Sequence, residues 1–217
     1  MPRTHDRTPS HLPGPDLIAQ WPTFTAEAPL RVLVSACLAG DLVGVDGTSN
    51  GDHPHIRQLL SLRNVRAIRF CPEDFSFGTP RATPDIHGGA GDDVLDGRAR
   101  VLSDAGEDWT QGMIAAAHRM LELAISHAVH LAVLMDISAA CGSQVIYLGA
   151  RSGGVRQIGQ GVCAALLIRH GIPVTSQRDW RTLDRIFHKL DPAYTPRDDV
   201  IDHHETAWYR ENLLGAN

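Results

Sequence analysis

Three short apolar segments of this 217-residue chain each lead into a cysteine. The segments are residues 30–36, 65–70 and 131–135, with the sequences LRVLVSA, VRAIRF and LAVLM. Runs of this length, rich in aliphatic and β-branched side chains, predict buried strands. Cys37 and Cys71 follow the first two runs directly, and Cys141 follows the third after a short turn. Because ligands of open α/β sheets bind beyond the carboxyl ends of the strands, we expect the three thiols to converge on one point.

Segments with helical spacing separate these strand-like runs. Helices are predicted at residues 55–62, 108–127, 162–170 and 180–190, and shorter strands at residues 98–102 and 172–175. Strands that alternate with helices indicate a parallel sheet covered by helices on both faces.

Three regions fall outside this alternation. Residues 1–29 are rich in proline and predict an extended or flexible N-terminal arm. Residues 72–97 combine many Gly, Pro and Asp residues and predict a long irregular loop. Residues 200–214 predict a last helix. The sequence therefore suggests an arm (residues 1–29), an α/β domain (residues 30–190) and a C-terminal extension (residues 191–217) whose helix packs on the same domain.

The composition limits the classes of partner. The net charge is −5 and no basic stripe is present, so we expect no binding to nucleic acid. No apolar run approaches the roughly 18 residues of a membrane span, and the N-terminus lacks the apolar core of a signal peptide. We therefore expect a cytoplasmic protein without a membrane partner. The sequence leaves the oligomeric state open between monomer and dimer.

Several chemistries can use cysteines at strand ends. Tetrahedral zinc usually takes cysteines in close C-x2-C pairs, which this chain lacks. Iron–sulfur clusters are commonly held by four thiolates, so three would leave one iron open to a soft atom such as sulfur. Zinc on three cysteines and a histidine, or simple packing of buried thiols, remain alternatives. Cys163 lies in an apolar helical segment and is expected to pack, with a role as fourth ligand as its alternative.

Five motifs occur in a characteristic order along the chain. They are SACLAG (residues 35–40), CPE followed by TPR (71–73 and 79–81), S-x-x-C-G (138–142), IYxG (146–149) and GxGVxAALL (159–167). Together they resemble the TudS-type thiouracil desulfidases, an iron–sulfur domain family formerly of unknown function. Each motif alone is weak, but the five in this order, across about two-thirds of the chain, form a strong signal.

The resemblance carries expectations for the fold, cofactor and activity. It implies a Rossmann-like, three-layer α/β sandwich with a mostly parallel sheet, and a 4Fe-4S cluster held by Cys37, Cys71 and Cys141. It also implies catalytic roles for Glu73 and Ser138. The expected reaction removes sulfur from a thiolated pyrimidine base or nucleoside without redox change, converting thiouracil to uracil and hydrogen sulfide.

Four further residues are candidates for contact with the substrate: Ser35, Arg81, Gly142 and Gly161. Arg81 can hold a carboxylate or phosphate through two donors, or can form a structural ion pair. Gly161 belongs to a glycine-rich turn before a helix, where backbone N–H groups can bind an anion or where glycine simply permits the turn.

Several departures from the family pattern, including an altered spacing before the T-P-R of residues 79–81, bear on the substrate. Ala139 and Ala140 replace a proline and a serine, Leu148 replaces an acidic residue, and Cys163 replaces a threonine. A different thiolated base, nucleoside or heterocycle is therefore open as the substrate. An alternative of another class is a non-catalytic binding or sensor protein on the same fold, with a structural or absent metal centre.

Two groups of histidines have the residue types of metal ligands, but each has a simpler structural interpretation. Asp52-His53-Pro54-His55 predicts a proline-bent turn. His203-His204-Glu205 does not place two histidines one helical turn apart, and it predicts a solvated helix face.

Overall fold

A computed structural model describes residues 9–215 of the chain. The strands are β1 (Leu30–Ser35), β2 (Val65–Phe70), β3 (Pro84–His87), β4 (Arg100–Ser103), β5 (Leu131–Leu134), β6 (Val145–Tyr147), β7 (Arg156–Ile158) and β8 (Val174–Ser176). The α-helices are α1 (Pro15–Gln20), α2 (Pro54–Ser61), α3 (Pro72–Phe77), α4 (Gly91–Leu95), α5 (Thr110–Ser126), α6 (Val162–Arg169), α7 (Trp180–Leu190) and α8 (Ala207–Tyr209). The strands and helices predicted from the apolar runs are confirmed, with ends that differ by a few residues.

The central sheet has four parallel strands in the order β2-β1-β5-β8. Val32 of β1 lies opposite Ala67 of β2 on one side and Leu131 of β5 on the other. Two antiparallel hairpins, β3-β4 and β6-β7, lie outside this sheet. The predicted parallel sheet is therefore confirmed, and the hairpins are additions to it.

Side chains of the central strands alternate between two apolar cores. Val32 and Val34 of β1 pack with α2 and α7, whereas Leu33 packs with α5 and α6. On β5, Leu131 and Val133 join the first core and Ala132 and Leu134 the second. Successive residues of a strand point to opposite faces, so a strand that is apolar throughout must be covered on both. The protein is thus a three-layer α/β sandwich of Rossmann-like type.

The prediction of an irregular loop over residues 72–97 is wrong. This segment forms α3, β3 and α4. Pro72 stands at the first position of α3, where a missing N–H costs nothing, and Gly78 ends the helix at a φ of 77°. The prolines and glycines of this segment are therefore start and stop signals of short elements.

The prediction of one helix over residues 200–214 is also wrong. The segment forms a 3₁₀ turn (His203–Glu205), α8 and a π-helical turn (Arg210–Leu214). Asp202 receives hydrogen bonds from Thr182 N and Thr182 Oγ1, and Thr206 Oγ1 caps α8 by accepting from Tyr209 N over 3.1 Å. These polar side chains anchor the backbone at two points, and the helix is interrupted between them.

Part of the N-terminal arm packs against the sandwich. Leu12, Ile18 and Phe24 are buried, and α1 contacts α7. Residues 1–8 of the arm lie outside the described residues. No helix within residues 9–215 combines the length and apolar character needed to cross a membrane.

Candidate metal centre and active site

A cavity of about 170 Å³ opens at the carboxyl ends of three central strands. β1 and β5 are neighbours at the middle of the sheet. The chain continues from β1 to β2 at one edge of the sheet and from β5 to β8 at the opposite edge. The ends of β1 and β5 therefore border a topological switch point, where α/β proteins bind their ligands. The cavity lining comprises Ser35, Cys37, Val43, Val45, Asn50, Cys71, Pro72, Glu73, Arg81, Met135, Asp136, Ile137, Ser138, Cys141 and Arg151.

The three cysteines that follow the predicted strands all line this cavity. Cys37 lies in a 3₁₀ turn (Ala36–Ala39) directly after β1. Cys71 is the N-cap of α3, and its Sγ accepts a hydrogen bond from Asp74 N over 3.4 Å. Cys141 lies in the segment that connects β5 to β6. Convergence of the three thiols on one cavity, expected from the strand ends, is observed.

Burial controls the protonation of these thiols. Desolvation raises the pKa of Cys37 to about 11, and the nearby Cys71 adds to the rise. Desolvation likewise raises the pKa of Cys71 and, more strongly, that of Cys141. Metal ligation requires thiolates, so a metal centre here would have to displace protons from all three sulfurs.

Glu73 lies at the second position of α3 and makes two directed contacts in the cavity. Its Oε2 accepts from Arg81 Nη2 over 3.0 Å, and its Oε1 accepts from Ser138 Oγ over 3.2 Å. The side chains of Arg81 and Glu73 are only 3% and 13% exposed, so solvent screens this ion pair weakly. The two contacts hold the carboxylate in one orientation beside Cys71.

Arg81 is tied down by more than Glu73. It donates to the carbonyl oxygens of Val43 and Gly78 and to Thr79 Oγ1, and its Nη2 lies 4.0 Å from Cys71 Sγ. Its buried Nε has no hydrogen-bond partner among the described residues. Of the two roles considered for Arg81, the structure supplies the ion pair and leaves one donor unused.

Ser138 organises the turn that carries Cys141. Its Oγ accepts from Ala140 N over 3.2 Å and from Cys141 N over 3.0 Å, in addition to donating to Glu73. Ser35, at the end of β1, accepts a hydrogen bond from Met135 N over 3.0 Å through its Oγ. Ser138 therefore supports the Cys141 turn, and Ser35 links the end of β1 to the residue that follows β5.

Gly142 and Gly161 lie together beside Cys141, outside the described cavity lining. Gly161 N donates to the carbonyl oxygen of Gly142 over 2.8 Å. A Cβ added to Gly161 would lie 2.6 Å from the Ala140 carbonyl, and one added to Gly142 would lie 2.6 Å from the Val145 carbonyl oxygen. The geometry thus gives these glycines a role in close backbone packing.

The sequence reasoning missed several residues of the cavity. Asn50 lines the cavity, acts against the rise in the pKa of Cys37, and adopts a φ of 56°, a left-handed conformation that asparagine tolerates. Arg151 reaches the cavity from the segment after β6 and is held there by Asp85, with Arg151 Nε donating to Asp85 Oδ1 over 3.0 Å. Asn50 lies in the glycine-rich loop after β1, so polar residues in that loop were the available signal.

Cys163 lies in the first turn of α6 and is fully buried. It belongs to the core formed with α5 and β5, and it contributes to the raised pKa of Cys141. It is not among the described residues that line the cavity. The position fits the expected packing role.

The expectation that His203-His204-Glu205 forms a solvated helix face is wrong for His203. This residue is buried, and its Nδ1 lies 2.6 Å from Asp136 Oδ2. Asp202, whose side chain is fixed by Thr182, holds the turn against α7 and brings the imidazole inward. Sequence spacing carries no information about this long-range contact.

The donor set distinguishes between kinds of metal centre. Within residues 9–215, no group of three or more His, Cys, Asp or Glu side chains is arranged to hold a single metal ion. A zinc ion would need ligands about 2.0–2.3 Å from one point. An iron–sulfur cluster instead takes each thiolate on a different iron, so its thiols surround a larger volume. Three thiols around one cavity fit a cluster better than a single ion.

The fold and cavity together define an α/β protein with a three-thiol centre at its switch point. The family model described as 2-thiouracil desulfurase matches residues 32–179, and this chain belongs to that family. A relative, the uncharacterized protein YbbK of Bacillus subtilis (strain 168), is 37% identical over 150 residues, covering 68% of this chain and 96% of that protein.

A solved structure is also similar to this chain. It is described as a 4Fe-4S-dependent thiouracil desulfidase, TudS, and superposes with a TM-score of 0.57 at 35% sequence identity. The match covers 67% of this chain and 89% of that protein. The resemblance inferred from the five sequence motifs is therefore confirmed.

Proposed function

We propose that this protein is an iron–sulfur-dependent desulfidase acting on a thiolated pyrimidine base or nucleoside. For thiouracil, water supplies the oxygen that replaces sulfur on the ring carbon, and the products are uracil and hydrogen sulfide. The carbon keeps its oxidation state, so the reaction needs no electron donor. The single observation that carries the proposal is the convergence of Cys37, Cys71 and Cys141 on a cavity that also holds Glu73.

Cys37, Cys71 and Cys141 are the residues that would hold the 4Fe-4S cluster. When bound, the cluster supplies an iron that lacks a protein ligand and can act as a Lewis acid toward a soft thiocarbonyl sulfur. The burial of the three thiols shields such a centre from solvent. Asn50, which lines the same cavity as Cys37, is proposed to support that ligand from outside.

Glu73 is proposed as the general base and acid. A carboxylate in the cavity can take a proton from the attacking water and later give it to the departing sulfur. Arg81 and Ser138 bind one oxygen each, so the carboxylate is oriented before substrate enters. Such fixed geometry lowers the cost of reaching the reactive arrangement.

Ser138 and Arg81 are proposed to act in different ways. Ser138 fixes the Glu73 carboxylate and the Cys141 turn together, because its hydroxyl donates to the first and accepts from the second. Arg81 lines the cavity and supplies positive charge next to Glu73, where it is proposed to bias the charge of the substrate pocket. Ser35 is proposed to complete the pocket floor beside Cys141.

The cellular setting is part of the proposal. All four cysteines within residues 9–215 are free thiols, which suits the reducing conditions of the cytoplasm. We also retain the division into an arm, an α/β domain and a C-terminal extension as a proposal about domain organisation.

Anaerobic reconstitution tests the function. The full chain is loaded with ferrous iron and sulfide, and the iron content is measured; about four irons per chain are expected. The loaded protein is then incubated with 2-thiouracil, 4-thiouracil and their nucleosides, with release of sulfide and of the oxygenated base as readouts. The matching oxygen-containing bases serve as blanks.

Three outcomes would contradict the proposal. A colourless protein that binds no iron under these conditions would rule out the proposed iron–sulfur cofactor. A protein that loads iron but releases no sulfide from any of the four compounds would favour the alternative of a binding or sensor protein. Zinc bound in preference to iron would identify the remaining alternative.

A further inference from the structure

The segment from Asp136 to Val145 carries Ser138 and Cys141, and the backbone at its end hydrogen-bonds to the carboxylate at its start. Asp136 Oδ1 accepts from the backbone N–H groups of Ser143, Gln144 and Val145, over 3.0, 3.2 and 3.3 Å. The start of the segment therefore binds its end. A loop tied in this way keeps its interior residues in fixed positions relative to the sheet.

One residue inside this loop has a strained backbone. Ile137 adopts a φ of 59°, a left-handed conformation that is a clear outlier for a β-branched side chain. Such strain persists only where the surroundings enforce it. Ile137 lies directly between Asp136 and Ser138 and lines the cavity. The contacts of Asp136 therefore hold a conformation that aims Ser138 at Glu73.

The second oxygen of Asp136 is bound by the C-terminal extension. His203 Nδ1 donates to Asp136 Oδ2 over 2.6 Å, and the side chains are 3% and 0% exposed. Burial acts to raise the pKa of Asp136, but His203 and the backbone hydrogen bonds to the carboxylate together outweigh it and hold that pKa below its usual value. A carboxylate buried this completely would be costly without such a partner.

The surroundings of His203 fix the imidazole in place. Trp208 stacks on its ring with centroids 5.4 Å apart, and Tyr209 meets it edge-on at 5.5 Å. His203 N also donates to Asp179 Oδ1 over 3.1 Å. Position 203 lies beyond the part of the chain that the family model matches, residues 32–179. This chain thus supports its Cys141 loop with a segment outside the family region.

We propose that His203 is a positioning residue of the desulfidase site, acting through Asp136 on the loop that carries Ser138 and Cys141. The inference rests on the proposed function for its catalytic consequence, whereas the loop anchoring is a property of the chain alone. Loss of the His203 donor should leave Asp136 Oδ2 buried without its side-chain partner and weaken the anchoring of the loop.

Two substitutions separate the donor from the ring. His203→Phe keeps an aromatic ring between Trp208 and Tyr209 but removes the Nδ1–H donor. His203→Asn loses the ring but retains an amide donor that can reach Asp136. A positioning role predicts a defect in the first variant and recovery toward wild type in the second, whereas a purely packing role predicts the reverse.

The first readout is amide hydrogen exchange in the cluster-free full chain. In His203→Phe, the amides of Ser143, Gln144 and Val145 should exchange faster, because their acceptor is no longer held. The second readout is the half-life of bound iron in the presence of a chelator. This half-life should shorten about 10-fold, which is the lower end of the effect of losing a residue that supports a metal ligand. The third is kinetic: kcat should fall about 10-fold while KM stays near wild type.

Arg197→Gln is the matched control. Arg197 ties the same C-terminal extension to α7 through Asp184, with Nη2 to Oδ1 at 2.7 Å, and its backbone N and Nε donate to the same carboxylate. It should leave exchange at residues 143–145 and iron retention unchanged. Equal effects of Arg197→Gln and His203→Phe would overturn the proposal, as would wild-type exchange in His203→Phe. If wild-type protein binds no iron, the proposed function fails while the exchange experiment still decides the anchoring.

Discussion

Ser138 Oγ donates a hydrogen bond to Glu73 Oε1 over 3.2 Å, although the two residues are 65 positions apart in the chain. The bond joins the segment after β5 to the first turn of α3. It therefore couples the proposed base to the turn that carries Cys141. Arg81 binds the other oxygen of the same carboxylate. One connected set of contacts therefore positions the proposed base together with two of the proposed metal ligands, Cys71 and Cys141.

Glu73→Gln should separate catalysis from cluster binding. The amide keeps the size of the side chain but cannot exchange a proton with water, so kcat should fall by about 100-fold or more. Iron content should stay at the wild-type value, because Glu73 is not a proposed ligand. Asp74→Asn is the control, since that carboxylate accepts from Thr79 Oγ1 and is absent from the described cavity lining. Full activity of Glu73→Gln would disprove the assigned role.

Substitution of the cysteines should divide them into three ligands and one packing residue. Cys37→Ser, Cys71→Ser and Cys141→Ser should each lose most of their iron, because a hydroxyl is a poor substitute for a thiolate on iron. Cys163→Ala should retain it, because this thiol lies in the apolar core. Iron analysis after anaerobic reconstitution provides the measurement. Iron loss in Cys163→Ala to the same extent would make Cys163 a ligand.

Arg81→Met should destabilise the fold itself. Removal of one partner of a buried ion pair leaves the other charge uncompensated and costs about 3–5 kcal/mol. Arg81 is 3% exposed, and the loss should appear in urea unfolding as a lower midpoint. The double variant with Glu73→Gln should recover part of the loss. Arg69→Met, which breaks an exposed pair with Asp41, should cost no more than about 1 kcal/mol.

His11→Phe should change the pH dependence of stability. Burial lowers the pKa of His11 to about 4, so between pH 4 and 6.5 the unfolded chain binds a proton that the folded protein does not. The His11 contribution to stability is therefore full above pH 6.5 and is lost as pH falls toward 4, by up to about 3 kcal/mol. Phenylalanine fills a similar volume without titrating and should abolish this loss.

Asp179 titrates in the same pH range as His11, so the stability of His11→Phe has to be compared with that of wild type at each pH. Burial raises its pKa to about 6, so its own contribution to stability decreases as pH rises from 3.8 to 6, opposite to that of His11. The quantity to measure is the difference in unfolding free energy between His11→Phe and wild type across pH 4–8. A difference that is constant over this range would show that His11 does not titrate in the folded protein.

Much of the fold follows from local sequence. Segments such as Val65–Phe70 and Trp180–Leu190 carry enough periodicity to define an element and its faces, and both were predicted with the observed bounds. Short elements were not predicted where the residues that begin and end them are also typical of loops, as Pro72 and Gly78 are at the two ends of α3. Hairpin β6-β7 was missed because each strand has only three residues, too few to show alternation.

The sequence by itself determined that three thiols follow three parallel strands, and the shared edge of such a sheet was enough to bring them to one place. Only the tertiary structure decided what surrounds them. The contacts of Glu73 with Ser138 and of Asp136 with His203 join residues 65 and 67 positions apart. No local propensity encodes such contacts, because they depend on how turns and the C-terminal extension pack after the sheet has formed.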